Sequence, residues 1–510
     1  MIALSRSFGS RRLDNALLLI LPLAAMLPLL LSGVLALNDL GAHVGRFAVQ
    51  LDGGASPELR QWYSFRWALI PNLGIDLLVA GLGPVVGLER AVWLSVMAIP
   101  ALHTAGVLLL SRAVHGRIVP GAILAVPLGY SQVLHFGFVN YALSAALALL
   151  ALALWITLGD RGMVRSRWLL FVPIGQVLWI CHLSGWAAFC VMAAAEALVR
   201  ERDSGSDPGR ALVHAGIAVL PLAGGPLLGM LLGPHNVASA GELATLSSKA
   251  LWLKLVLWDR WPWWDMASAA LMTVFIVWSW VSPSFHRHRG LAFAGILLSA
   301  AYLMLPFGIR GSFYADMRLL PLTLSILLVA ARPAERLAAR TAAAIMLAAL
   351  AFAGARIAGN AASHHLWAEK INRSLSLLDA VPRGSQMVNL YVMPCGAEDI
   401  TNGERRAHIG GYALARRHAF DNGQFILPGG QLLSVHNPAA GEFARSDILG
   451  TSLGACPKMV RLADMAGRIP PAMTYLWVNG IAPDTRLPGW QAIAASGDSV
   501  MFRRVPQARE

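Results

Sequence analysis

The chain has 510 residues, of which 56% are hydrophobic and only 14% are charged, and its formal net charge is +13. A soluble protein of this length could not hide so much apolar surface, because its exterior must be largely polar. The composition therefore excludes a soluble globular protein, and apolar stretches of about 20 residues predict an α-helical polytopic membrane protein.

The positive charge indicates a membrane topology rather than nucleic-acid binding. Its arginines cluster in short loops between apolar segments, which is the distribution of cytoplasmic loops under the positive-inside rule. The clusters are Arg112 and Arg117; Arg161, Arg165 and Arg167; Arg200, Arg202 and Arg210; Arg287 and Arg289; Arg332, Arg336 and Arg340. We therefore expect a cytoplasmic N-terminus and no nucleic-acid partner.

The apolar segments give a map of about 11 membrane spans. The first run is longer than a signal-peptide h-region of about 7–15 residues, so we interpret it as an uncleaved span. The predicted spans are 15–37, 91–111, 118–136, 138–158, 168–182, 185–199, 211–233, 266–282, 290–308, 317–331 and 341–357. Because 167–200 is short for two crossings, one tilted span or a re-entrant pair is the alternative there.

Two segments are predicted to lie outside the bilayer on the side opposite the arginine clusters. The first is a long loop, 38–90, whose apolar part, 66–89, is broken by glycine and proline and is expected to form interfacial helices. The second begins where the transmembrane module, 1–357, ends. Strand-like sequences such as QMVNLYVM predict a soluble periplasmic α/β domain over 358–510.

Four cysteines are present, and two of them, Cys395 and Cys456, fall in the predicted C-terminal domain. Cysteines of one domain in an oxidising compartment commonly pair. We predict a disulfide between them, with two free thiols as the alternative. Cys181 and Cys190 fall in apolar spans and are expected to be small buried residues.

The sequence LALNDLGAHVGR places Asp39, His43 and Arg46 immediately beyond the first span. Residues at i, i+4 and i+7 share one face of a helix. A carboxylate there can serve as a general base. The histidine could bind this carboxylate, a metal ion or an anionic leaving group, and the arginine could bind a phosphate group. The alternative is a polar collar that marks the end of the span.

Further polar residues fall in turns on the same predicted side of the membrane. They are His135, Asn140, His182, Arg310, Asp316 and Arg318. Charges near membrane depth are costly, so their convergence on one side favours a functional site. Each has a structural alternative, namely an interfacial polar group or, for Asp316 and Arg318, a mutual pair.

This pattern resembles the GT-C superfamily, membrane glycosyltransferases that take sugars from polyprenyl-phosphate donors. The matching features are an acidic residue after the first span, a long first outer loop, many spans and a C-terminal periplasmic domain. The chain is most similar to bacterial members of unassigned function. The similar segments are 39–46, 66–78 (RWALIPNLGIDLL), 137–143 (GFVNYAL) and 315–321 (ADMRLLP).

The resemblance implies an enzyme of the bacterial inner membrane that transfers a hexosyl or pentosyl group to a glycan or lipid acceptor on the periplasmic face. It implies that Asp39, supported by His43, activates the acceptor. Arg46, Arg310 and Arg318 correspond loosely to residues that hold the lipid phosphate, and Asp316, His135, Asn140 and His182 are the remaining candidate substrate contacts. A divalent metal is left open, because two side chains are too few ligands to predict one.

Two other classes of function stay open. A transporter or flippase of a lipid-linked saccharide would distribute polar groups through the bilayer, often within inverted repeats. Here the polar residues concentrate at one side, and no repeat is evident. A non-catalytic scaffold for envelope assembly would depend on the C-terminal domain and would tolerate the loss of Asp39.

Overall fold

The computed structural model describes residues 2–233, 245–308, 313–395, 405–427, 430–446 and 448–506, with side chains from residue 11 onward. The helices are α1 (Ile2–Leu30), α2 (Leu40–Asp52), α3 (Pro57–Arg60), α4 (Gly74–Val86), α5 (Leu88–His115), α6 (Pro120–Leu124), α7 (Gln132–Phe136), α8 (Val139–Asp160), α9 (Val164–Cys181), α10 (Leu183–Asp203), α11 (Pro208–Val219), α12 (Gly224–Leu232), α13 (Leu246–Lys254), α14 (Pro262–Val281), α15 (Arg289–Met304), α16 (Ala315–Val329), α17 (Ala339–Leu375), α18 (Gly410–Arg417) and α19 (Leu462–Arg468). The strands are β1 (Tyr63–Phe65), β2 (Phe285–Arg287), β3 (Ala331–Pro333), β4 (Met387–Val392), β5 (Leu433–Val435), β6 (Gly450–Thr451), β7 (Tyr475–Asn479), β8 (Trp490–Ser496) and β9 (Ser499–Arg504).

Within the described residues, 7 helical segments are long and apolar enough to cross a membrane. They are Arg11–Leu30, Leu88–His115, Val139–Asp160, Leu183–Asp203, Pro208–Leu232, Pro262–Val281 and Ala339–Ala380. Large apolar side chains on these helices, such as Leu19 and Val274, are exposed, as lipid contact requires. Other predicted spans correspond to shorter or broken helices of the same bundle, such as α9, α15 and α16.

The predicted span 118–136 is not one continuous helix. It forms α6, a 3₁₀ turn over Val126–Tyr130 and α7, and all of it is buried. Pro127 lacks an N–H group and breaks a continuous helix. Gly121 packs so closely on α16 that a Cβ atom would lie 2.0 Å from the carbonyl oxygen of Leu328. The segment therefore runs through the interior of the bundle from one end to the other as a broken helix. Its first residues contact Asp14, since the Ile118 N–H lies 3.3 Å from the Asp14 carboxylate, and its last residues accept hydrogen bonds from Asn38 and Asp39 at the other end.

The segment 167–200 forms two helices, α9 and α10, which supports the two-helix interpretation of this short stretch. Between them His182 adopts an extended conformation, and its ring accepts a hydrogen bond from the Ser184 amide. In the first outer loop α4 has 13 residues and is too short to cross a bilayer of about 30 Å. This agrees with the expectation of interfacial helices.

The boundary of the C-terminal domain lies later than the composition change at 358 predicted. Helix α17 continues without a break to Leu375, so that change falls inside a helix. The domain that follows contains a five-stranded sheet in the order β6-β4-β7-β9-β8. Strands β6, β4 and β7 are parallel, whereas β9 is antiparallel to both of its neighbours, so the domain is of the mixed α/β type.

The first outer loop and the C-terminal domain form one layer over the same end of the helical bundle, which we call the domain end. Strand β1 of the loop pairs with β5 of the domain in antiparallel register, from Tyr63 opposite Val435 to Phe65 opposite Leu433. Trp62 of the loop is buried in the core of the domain against Phe420. The loop is thus folded into the domain rather than lying free on the membrane.

The predicted disulfide is not formed, since Cys456 is a free thiol in the structure. The two cysteines nevertheless lie in neighbouring segments. The Cys395 thiol donates a hydrogen bond to the carbonyl oxygen of Ala455 at 3.6 Å. Cys395 and the residue before Cys456 are thus in contact, but the two cysteines are not joined by a disulfide bond.

Candidate functional site

Asp39 immediately precedes α2, at the domain end of the bundle. Its backbone N–H donates to the carbonyl oxygen of Phe136 at 2.9 Å, and the Asn38 N–H donates to that of His135 at 2.9 Å. Gly137 allows this close approach, because it has a φ of 93° and a Cβ atom there would lie 3.0 Å from the Asp39 Cβ. The last residues of α7 and Gly137 therefore hold the backbone of Asp39 in place.

The Asp39 carboxyl group is shielded from solvent, with 14% of its side chain exposed. Burial raises its pKa to about 7, although the charge of Arg318 and a 3.1 Å hydrogen bond from the Asn38 amide act in the opposite direction. A carboxyl group with a pKa near neutrality is matched to proton transfer, because it can both accept and release a proton at physiological pH.

The C-terminal domain places His408 against Asp39. Its Nε2 atom lies 3.9 Å from the Asp39 Oδ1 atom. Its Nδ1 atom lies 2.8 Å from the carbonyl oxygen of Gly423, which fixes the proton on Nδ1 and leaves a lone pair on Nε2. Burial lowers the pKa of His408 to about 4, so the ring is neutral and Nε2 is an acceptor facing the carboxyl group.

Two glycines bring His408 to this position. A Cβ atom at Gly41 on α2 would lie 2.0 Å from the carbonyl oxygen of His408. A Cβ atom at Gly411 on α18 would lie 1.9 Å from the carbonyl oxygen of Gly41. The two helices therefore meet backbone to backbone, a contact that only glycine permits.

The opposite side of the site is cationic. Arg318, near the start of α16, stacks 4.2 Å above the Phe138 ring and donates to the Phe313 carbonyl oxygen at 3.1 Å. Tyr314 immediately before α16 has a φ of 61°, a left-handed conformation that is strained for tyrosine. Its ring packs 5.1 Å from that of Phe136. These contacts hold a guanidinium group close enough to lower the pKa of Asp39.

Two buried polar atoms at this side have no hydrogen-bond partner among the described residues. They are the Tyr141 hydroxyl oxygen and the Arg318 Nε atom. The ring of His182 meets the Tyr141 ring edge to face, with 5.3 Å between their centroids. Buried polar groups are normally paired, so such atoms beside a carboxylate mark a place where a ligand can bind. Asp39, Arg318 and His182 are thus predicted residues that the fold brings together.

Arg46 and Asn140 lie in a different, internal network. Arg46 forms a buried ion pair with Asp76 at 3.1 Å. Asn140 donates to the Asp76 carboxylate at 3.2 Å and accepts from the Ile75 N–H at 2.6 Å. The network fastens α2, α4 and α8 to one another. It places the Arg46 side chain against Asp76 and not against the Asp39 carboxyl group.

Of the remaining predicted residues, Asp316 and His135 have partners other than Asp39. His43 lies one turn beyond Asp39, and its backbone N–H donates to the Asp39 carbonyl oxygen at 3.2 Å. The His43 ring lies 6.2 Å from the ring of Phe47 and 6.1 Å from that of Phe425. Asp316 is buried in an ion pair with the ammonium group of Lys249 at 3.0 Å. His135 donates to the Trp258 carbonyl oxygen at 3.1 Å. Arg310 lies outside the described residues.

A buried ion pair that sequence reasoning missed fastens the domain beside the site. Arg405 pairs with Asp259 and donates to the carbonyl oxygen of Ala36 at 3.1 Å. Ser363 of α17 donates to the same carboxylate at 2.8 Å. Burial raises the pKa of Asp259, but the Arg405 guanidinium outweighs this and holds the pKa well below its usual range. The carboxylate therefore stays charged and keeps the domain in place.

No cluster of three or more histidine, cysteine, aspartate or glutamate side chains suited to a metal ion occurs in the part of the chain that the structure describes. Asp39 and His408 supply two such groups. The divalent metal that the resemblance left open stays untested.

The arrangement of helical bundle, first loop and C-terminal α/β domain defines a GT-C fold. ArnT from Cupriavidus metallidurans bound to undecaprenyl phosphate matches 98% of this chain and 99% of its own, with 11% identity and a TM-score of 0.51. Its apo state matches 98% of this chain and 100% of its own, with 12% identity and a TM-score of 0.48. No family model and no curated protein sequence matches the chain. The fold implied by the sequence is confirmed, and this likeness describes the fold alone.

Proposed function

We propose that this protein is a membrane glycosyltransferase that transfers a sugar from a polyprenyl-phosphate donor to a hydroxyl group of a glycan or lipid acceptor. The single observation that carries the proposal is the Asp39 carboxyl group, whose pKa is raised to about 7 and which lies between a neutral imidazole and a guanidinium. The carboxylate can accept the proton of an acceptor hydroxyl group, and the guanidinium can stabilise the phosphate that the donor releases.

Asp39 acts as the general base. Its carboxylate takes the proton of the acceptor hydroxyl as the oxygen attacks the anomeric carbon, so that one C–O bond forms while the bond to the donor phosphate breaks with inversion. The Nε2 atom of the neutral His408 lies 3.9 Å from the Asp39 Oδ1 atom, which is longer than a hydrogen bond, and in our proposal it approaches to accept one when Asp39 becomes protonated. A general base contributes roughly 10²–10⁴-fold to such a rate.

Arg318 stabilises the leaving group. The departing polyprenyl phosphate gains negative charge and needs a cation or hydrogen-bond donors rather than an acid. The Arg318 Nε and the Tyr141 hydroxyl, both buried without a partner among the described residues, supply these donors. Charge-assisted bonds from a guanidinium to phosphate are short and strong, so this side of the site favours the phosphate of the lipid donor.

The donor class is supported by the fold. ArnT, whose structure is similar over nearly the whole chain, was solved with undecaprenyl phosphate. We further propose that the protein lies in a bacterial inner membrane with its domain end in the periplasm. The arginine-rich loops at the other end then lie in the cytoplasm, as the positive-inside rule requires. The transferred group is a hexose or pentose.

The test is mass spectrometry of envelope glycans and lipids from a deletion strain that expresses wild type or Asp39→Asn at equal protein level. Asp52→Asn is the matched control, because Asp52 ends the same helix and its carboxylate binds Ser56 instead of facing the site. We expect wild type and Asp52→Asn to restore a missing glycan, and Asp39→Asn to leave it missing. The mass difference then gives the transferred sugar.

Full restoration by Asp39→Asn would overturn the assignment of the base. It would favour a flippase of a lipid-linked saccharide or a scaffold, since neither needs a proton acceptor at this position. A donor that accumulates in the Asp39→Asn strain would instead support transfer, because the polyprenyl-phosphate sugar would be made and not consumed.

A further inference from the structure

A second polar cavity, which we call the basic groove, opens at the domain end. Its volume is about 420 Å³, and none of its lining residues belongs to the Asp39 site. Arg260 lines it from the loop that precedes α14, Lys370 and Arg373 line it from α17, and Asp498 lines it from the turn between β8 and β9. Three segments that are distant in the sequence therefore converge on one cavity.

Two carboxylates, Glu369 and Asp498, also line the groove and offset part of its positive charge. Asp498 accepts hydrogen bonds from the buried Arg406 at 2.6 and 2.9 Å and lies 3.0 Å from the Lys370 ammonium. Arg373 approaches Glu369 only at 3.8 Å, and 58% of its side chain is exposed. Within the residues that the structure describes, Arg260 makes no ion pair. The two guanidinium groups of the groove are thus only partly compensated, Arg373 by Glu369 and Arg260 by the charge of the neighbouring Asp259.

A tryptophan side chain holds the cations in place. The ring centroid of Trp367 lies 5.4 Å from the Arg260 guanidinium, 5.2 Å from the Lys370 ammonium and 5.6 Å from the Arg405 guanidinium. Cations within about 6 Å of an indole face are attracted by its quadrupole. Arg260 and Lys370 are therefore positioned before any ligand arrives, which lowers the entropic cost of binding an anion.

The groove adjoins the end of a membrane-length helix. Arg260 stands two residues before the membrane-length helix α14, whose span begins at Pro262. Trp263 in the first turn of α14 is 84% exposed, as is usual for tryptophan at a membrane–water interface. Leu366, which lines the groove, is also exposed. An apolar rim beside a cationic cavity suits a ligand with a charged head and an apolar tail.

We propose that the basic groove binds the phosphate group of an anionic membrane lipid from the leaflet that faces the C-terminal domain. The phosphate lies between Arg260, Lys370 and Arg373, and the acyl chains follow Leu366 and the exposed tryptophan toward the bilayer. A volume of about 420 Å³ accommodates a head group of this size. This binding goes beyond the proposed glycosyl transfer and does not depend on it.

The experiment is native mass spectrometry of the full chain in detergent with short-chain dioctanoyl phosphatidate as the probe. Dioctanoylglycerol tests whether the phosphate is needed, and inorganic phosphate tests whether the tail is needed. The variant is Arg260→Gln with Arg373→Gln. The matched control is Arg60→Gln with Arg486→Gln, two exposed arginines of the same layer that lie outside the groove and whose loss changes the net charge equally.

We expect phosphatidate to bind wild type and the control variant, and to bind the groove variant about tenfold or more weakly, because each lost charge-assisted hydrogen bond weakens phosphate binding. Equal weakening in both variants would overturn the proposal in favour of general electrostatic attraction. If dioctanoylglycerol binds wild type as tightly as phosphatidate does, the groove is an apolar site and the proposal is wrong. Competition by inorganic phosphate at the same concentration would show that a soluble phosphate, and not a lipid, is the ligand. If the double variant unfolds, the single variant Arg373→Gln repeats the test, because Arg373 is exposed.

Discussion

The Nε2 atom of His408 lies 3.9 Å from the Oδ1 atom of Asp39. The first residue belongs to the C-terminal domain, and the second ends the segment that follows the first membrane helix. The candidate site is therefore completed only when the domain docks on the bundle, so the domain supplies part of the candidate site.

The rate of transfer should depend on the protonation of Asp39. Burial raises the pKa of its carboxyl group to about 7, so we expect the rate to fall tenfold per pH unit below this value, because the protonated acid cannot accept a proton. The measurement is the pH profile of single-turnover transfer by purified protein in detergent. A rate that stays constant between pH 5 and pH 7 would contradict the role of Asp39 as the base.

The same pKa predicts the pH dependence of stability. The folded state raises the pKa of Asp39 from an ordinary value of 3.8 to about 7, so it favours the protonated form. The stabilisation is present below pH 4 and is lost as the pH rises through 7. Asp39→Asn, which mimics the neutral form, should therefore unfold at a higher temperature than wild type at pH 8 but at the same temperature at pH 4. Thermal unfolding in detergent at both pH values measures this difference.

His408 should contribute more to catalysis than His43. The His408 ring faces the carboxyl group, whereas the His43 ring lies among aromatic rings. We expect His408→Gln to lower kcat about tenfold or more with little change in KM, because it removes the acceptor that orients Asp39. His43→Gln is the matched control on the same side of the site. A larger loss of kcat in His43→Gln would reverse the two roles.

Variants of Arg318 and Arg46 should have different effects, the first on the binding of the lipid phosphate and the second on the stability of the fold. Arg318→Gln should weaken the binding of undecaprenyl phosphate at least tenfold without lowering the unfolding temperature, because the guanidinium faces the site. Arg46→Gln should instead destabilise the fold by about 3–5 kcal/mol, because it leaves Asp76 buried without its ion-pair partner. Binding titrations and thermal unfolding of both variants measure the two effects. Restored stability in Arg46→Gln with Asp76→Asn would confirm the cause, and unchanged lipid binding by Arg318→Gln would contradict the assignment of the phosphate site.

Much of the fold could be predicted from apolar periodicity and charge placement. The runs near Leu21, Ala148 and Ala269 are long enough to cross a bilayer, and the structure forms membrane-length helices there. The form of the segment 118–136 could not be predicted, because a hydropathy window does not show that Pro127 and the close contact at Gly121 break the helix inside the bundle.

Less of the candidate site could be predicted. Asp39 was identified because a charge directly after an apolar run is conspicuous. The role of Arg46 depended on helical spacing alone, which cannot show that Asp76 from another helix takes the arginine as its partner. His408 carried no usable signal, since an isolated histidine in a soluble domain is common and its neighbours across the fold are unknown.

The sequence by itself determined the class of protein, the membrane helices and the place of Asp39 at the end of the first one, because these follow from the local transfer of apolar and charged side chains between water and lipid. Only the tertiary structure decided which groups surround that carboxyl group. The contact between Ala36 and Arg405 joins positions 369 residues apart, and the meeting of Gly41 with Gly411 depends on backbone approach rather than on side-chain chemistry. Contacts of this kind arise from packing between distant segments, so the docking of the domain, and not the local pattern, supplies the second half of the site.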